Sequence, residues 1–175
     1  MISSLFKKKP NQKAIQEVYA SIVAQSRQPV FYSEWQVPDS VTGRFDMVAL
    51  HMCMILRRLK TSKDQDREFS QTLFDWFFRD MDRSLREMGA GDMAVPKRIQ
   101  KMGELFYGML ASIGDALDDN DKAELQEALS RNIFGGEHPD SLKPIANYLI
   151  SLDQDLNQIE TTTILAGTLI LKDPA

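Results

Sequence analysis

Apolar residues recur every three to four positions along almost the whole chain, which is the period of an α-helix. Ala14, Ile15, Val18, Tyr19, Ile22 and Val23 form a one-sided stripe and predict a first helix from about Gln12 to Arg27. Pro29 and Pro38 then punctuate an extended connector, whose Val30, Phe31, Tyr32 and Trp35 are too apolar to lie free and are expected to wrap over the helices. A second helix, about Thr42 to Lys60, is apolar nearly all round and belongs at the centre of a bundle. The third, about Gln65 to Met88, gathers Phe69, Leu73, Phe74, Phe77, Phe78, Met81, Leu85 and Met88 on one broad face. Gly89-Ala90-Gly91 ends it, and Asp92 with Pro96 marks the next start. The fourth helix buries Ile99, Met102, Phe106, Met109, Leu110, Ile113 and Leu117, with Gly103 and Gly114 allowing another helix to come close. A run of acids ending at Asp121 caps a fifth helix, which reaches about Phe134 and stops at Gly135-Gly136. A sixth follows from about Ser141, and a last one, roughly Ile159 to Leu171, closes the set. The pattern predicts an all-α, single-domain compact bundle of about six or seven helices, wrapped by an extended connector. Residues 1–11 are expected to be a flexible basic N-terminal segment, with residues 12–175 forming the helical domain.

Three groups of residues depart from this pattern and are candidates for binding. On the second helix Met47, Leu50 and Met54 lie nearly opposite the main stripe, so they are either core or an apolar face that shelters a hydrophobic client. On the third helix Trp76 falls outside the core arc beside Asp80, Arg83 and Glu87. A tryptophan next to an arginine is an interface-forming combination, unless the connector covers the ring. Lys97, Arg98 and Lys101 crowd the start of the fourth helix, where cations oppose the helix dipole. An anionic neighbour is implied, with Asp80, Asp82 and Glu87 expected to supply it internally, or else a partner.

Composition narrows the chemistry. A net charge of −4 argues against general nucleic-acid binding and specific DNA recognition, although a local basic patch could still meet RNA or anionic lipid. The single Cys53 excludes an internal disulfide, and its apolar setting points to a buried thiol in a reducing compartment. No apolar run approaches a membrane span, and MISSLFKKKP lacks the order of a secretory signal. Leu5 and Phe6 followed by Lys7, Lys8 and Lys9 suit weak attachment to an anionic membrane, at about 1 kcal/mol per cation. With His51 and His138 the only histidines, no metal-ligand cluster forms, and a satisfied, partly buried His51 is expected. Nucleotide-binding glycine motifs and an activated nucleophile are lacking, so neither enzyme nor cofactor is expected. The rival readings are a haem-handling protein using His51 with Met52 or Met54, and a general helical adaptor at the inner membrane surface.

Several stretches together resemble the ubiquinol-cytochrome c chaperone family of alphaproteobacteria and mitochondria: IVAQSRQPVFY from Ile22, VPDSVTGRFDM from Val37, LRRLK from Leu56, LFDWFFRDMDRSLREMGAGD from Leu73, and VPKRIQKMGELFYG from Val95. The arginine usual in the family after FYG is replaced here by Met109. The resemblance implies an all-helical, non-enzymatic assembly factor for the cytochrome bc complex that acts on newly made cytochrome b, with the ribosome exit region as a further contact. It places the protein in a bacterial cytoplasm, peripheral to the cytoplasmic face of the inner membrane. On that reading the Trp76 ridge and the Lys97, Arg98 and Lys101 patch bind a polar loop or helix end of cytochrome b.

Overall fold

A computed structural model describes residues 10–60 and 64–174, so the Leu5 to Lys9 membrane contact lies outside the described residues. Among the described residues there are six long helices and two short ones, and no strand: α1 (Gln12–Ser26), α2 (Pro29–Ser33), α3 (Val41–Lys60), α4 (Asp64–Glu87), α5 (Val95–Asp118), α6 (Lys122–Ile133), α7 (Leu142–Gln158) and α8 (Thr161–Leu165). None of them is long and apolar enough to cross a membrane.

Helix α3 is the axis of the bundle and packs against α1, α4, α5, α6 and α7. Its all-round apolarity is explained by that position: Met47, Leu50, Met52 and Met54 are all completely buried, with Cys53 and Ile55 nearly so. Of the two readings of Met47, Leu50 and Met54, the client face is corrected to core, because neighbouring helices cover both sides of α3. Burial also pushes the Cys53 thiol far above its ordinary range, which leaves it inert.

The connector is only partly extended. Pro29 stands in the first turn of α2, a position where its fixed φ suits a helix and its missing N–H costs nothing. Beyond α2 the chain runs on to Pro38, with Phe31, Trp35 and Val37 buried, so the predicted wrapping holds. Phe31 is the anchor, its ring meeting those of Trp35, His51 and Tyr148 edge-on at 5.4, 5.5 and 5.4 Å. At the start of α3, Gly43 lies so close to the Pro38 carbonyl oxygen that a Cβ would penetrate it.

His51 is satisfied, as expected, though fully rather than partly buried. Its Nδ1–H donates to the Met47 carbonyl oxygen at 2.7 Å, which leaves Nε2 to accept the Tyr148 hydroxyl proton at 2.8 Å. The Tyr148 oxygen accepts in turn from the Gln25 amide at 3.0 Å, and the other Gln25 N–H reaches the Lys172 carbonyl oxygen at 2.7 Å. This chain of bonds fixes the imidazole tautomer and joins α3, α7, α1 and the C-terminal segment.

The last predicted helix is shortened to α8. After Leu165 the chain turns at Gly167, whose φ of +93° and 2.9 Å approach of a would-be Cβ to Ala14 Cα require glycine. It then lies as irregular chain over α1 and α7, with Leu169 buried.

Candidate interaction surfaces on the α4 and α5 pair

Helices α4 and α5 form an antiparallel pair joined by residues 88–94. Gly89 at φ +83° stops α4, and the Ala90 N–H returns to the Leu85 carbonyl oxygen at 3.0 Å. Asp92, read as marking the start of α5, does not cap it. It takes Arg86 at 2.6 Å across the turn, and the cap position falls to Ala94, which has no side chain to offer the free N–H groups. Along the pair, Phe74 meets Phe106 and Tyr107 at 5.5 and 5.6 Å, while Phe78 would stand 4.0 Å from a Cβ placed on Gly103.

The Trp76 ridge lies on the other flank of α4, the one turned to α1. Trp76 is half-buried against the core. Asp80 accepts the Tyr19 hydroxyl at 2.9 Å and pairs with Arg83, which also reaches Glu87 at 3.9 Å. Desolvation, reinforced by the bond to Asp80, pushes the Tyr19 phenol far above its usual range, so it remains a donor. Asp82 is held by Arg86 at 2.7 Å. The acids expected to neutralise Lys97, Arg98 and Lys101 are thus all committed to arginines of α4. Among the described residues the three cations, all exposed, have no ion pair. The internal neighbour expected for them is corrected on that ground. The ridge and the basic patch also fail to merge, since α5 packs on the flank of α4 opposite the one that carries Trp76.

At the far end of the pair the structure contains a surface that residue patterning missed. A groove of about 640 Å³ runs between the end of α3, the first half of α4 and the second half of α5. Its apolar lining includes Leu56, Phe74, Phe106, Tyr107 and Leu110, and its charged lining Arg57, Lys60, Arg67, Asp115 and Asp118. Tyr107 is 59% exposed. One wall is rigid: Arg57 bonds Asp118 at 2.8 Å, Asp153 at 2.9 Å and the Gly114 carbonyl oxygen at 3.3 Å, locking α3, α5 and α7 together. Ala111 and Gly114, being small, keep α5 thin along the trench. The signal in the sequence was the series Tyr107, Ala111, Gly114, an aromatic followed by small residues beside the core stripe.

The rival haem reading finds no free ligand here, because both His51 nitrogens are engaged and Met52 and Met54 are sealed in the core. Fold and surfaces together define an all-helical domain whose distinctive chemistry lies in a groove and a basic edge. Residues 33–171 match the family model for ubiquinol-cytochrome C chaperone, and the chain belongs to that family. A solved structure described as the Cbp3 homolog from Brucella abortus is 38% identical, with a TM-score of 0.85 over 96% of this chain and 93% of that one. Ubiquinol-cytochrome c reductase complex assembly factor 1 of Mus musculus and of Homo sapiens are each 23% identical over 85% of this chain, which spans 50% of their length. The Xenopus laevis protein of that name is 21% identical over the same share, covering 74% of its own length.

Proposed function

We propose that this chain is an assembly factor for the ubiquinol-cytochrome c reductase complex, and that its groove holds a segment of newly made cytochrome b. The observation that carries this reading is the trench between α3, α4 and α5, lined by aromatic side chains and by charges of both signs. Such a surface suits an amphipathic client segment: the apolar side meets Phe74, Tyr107 and Leu110, while polar flanks meet Lys60 and Asp115. Family membership and the relatives' names support the complex; the groove supplies a place for its subunit.

The ridge at Trp76, Asp80, Arg83 and Glu87 remains a second contact within the same function. Its charges already satisfy one another, so less of its bonding capacity is left for a client than the groove offers. The test is a photo-crosslinker at Tyr107 in cells that make the complex, together with copurification from Tyr107→Glu and Arg83→Glu variants. Crosslinking to cytochrome b, with capture lost in Tyr107→Glu and largely kept in Arg83→Glu, is the expected result. Full cytochrome b capture by a folded Tyr107→Glu protein would overturn the groove assignment.

A further inference from the structure

We propose that the turn between α4 and α5 is a docking tip for an anionic lipid bilayer. Met93 is 90% exposed and Met88 54% exposed, and the two stand on either side of the turn. Together they put apolar side chains at both ends of one turn, and methionine enters an acyl-chain boundary without needing a shaped pocket. Immediately beside them on α5 stand Lys97, Arg98 and Lys101, exposed and without an ion pair among the described residues. The acids at the same tip are ion-paired, Asp82 and Asp92 sharing Arg86 and Glu87 sharing Arg83 with Asp80, which leaves the three cations as the tip's unpaired charges among the described residues. What faces outward is therefore an apolar apex with a cationic collar, on a chain whose net charge of −4 would repel an anionic surface from other directions. That asymmetry selects one orientation, tip down.

Charge complementarity alone would also admit a polynucleotide. The exposed methionines decide between the two, since phosphate backbones offer nothing for Met93 to enter, whereas a bilayer takes both apolar apex and collar. Each cation at an anionic membrane surface contributes about fivefold in affinity, so neutralising all three weakens binding on the order of 100-fold.

The experiment uses the full chain with Lys7, Lys8 and Lys9 replaced by Gln in every arm, so that the N-terminal basic run does not contribute. Cosedimentation with vesicles containing phosphatidylglycerol is compared with phosphatidylcholine alone, at low and high salt. Because Cys53 is buried, a Met93→Cys variant accepts an environment-sensitive dye at the tip alone. The expected result is salt-sensitive binding to phosphatidylglycerol vesicles with a blue shift of the dye. Lys97→Gln, Arg98→Gln and Lys101→Gln together should abolish it, and Met93→Ser should weaken it without changing the salt slope. Far-ultraviolet circular dichroism confirms that the variants remain folded. Binding that survives the triple charge variant, or a dye that stays in water while the protein binds vesicles or ribosomal RNA, overturns the assignment. No client is needed, so a failure here leaves the groove reading standing, and the reverse holds too.

Discussion

At the scale of single residues, the informative groups are the titrating ones that lie buried or half-buried. Desolvation pushes the His51 pKa down to about 4, against a weaker upward pull from the Met47 carbonyl. Because the unfolded chain takes up that proton near pH 6.5 and the native state resists until about 4, this group's contribution to stability is lost as pH falls between those values. Asp46 acts in the opposite sense. Desolvation raises its carboxyl to about 7, so the native state keeps a proton the unfolded chain releases near 3.8, and stability falls as pH rises between those two values and levels off above them. Replacing Asp46 with Asn should therefore raise the Tm at pH 8 by a few degrees and leave it nearly unchanged at pH 3, read by calorimetry across pH. Tyr148→Phe removes the donor to His51 Nε2 and the acceptor for Gln25, and a loss of about 2 kcal/mol is expected in urea unfolding.

At the scale of elements, helix periodicity located every long helix to within a few residues, since one face of each meets the core whatever its neighbour. The all-round pattern of α3 favoured a core helix but left an open client face as the alternative. Only the packing of α1, α4, α5, α6 and α7 around it decided, because burial depends on which helices meet and not on any one of them. The groove was hidden for the same reason: Tyr107 and Ala111 make a trench only once Arg57 and Phe74 stand opposite. Local chemistry read from single residues fared unevenly. Asp121 caps α6 through the Ala123 and Glu124 N–H groups, as anticipated, while Asp92, read as marking the start of α5, pairs with Arg86 two residues before the cap position. Tertiary contact also explains Gly43, which carries the close approach of the Pro38 carbonyl to the first turn of α3. Gly43→Ala should cost about 3 kcal/mol or more by forcing the connector off the bundle, seen as a lowered urea midpoint and an exposed Trp35 in fluorescence.

At the scale of the whole molecule, the bundle is tied shut at its ends. Gly167 nests against Ala14, Gln25 holds the Lys172 carbonyl, Gln28 bonds Asp173 at 3.0 Å, and Lys172 pairs with Asp155. Removing residues 167–174 strips Leu169 from the core and takes the Lys172 acceptor from Gln25. A loss of about 3 kcal/mol is expected, with faster amide exchange in α1 as its signature. The chain order of these contacts has a further consequence. The Gln25 and Lys172 partners are 147 positions apart, so α1 waits for a segment made much later. During synthesis the earlier helices can associate, but the seal over α1 forms only after residue 172 has emerged. Helix α1 thus completes its packing late, and a ribosome stalled before residue 172 has emerged should carry an α1 that proteases still cut.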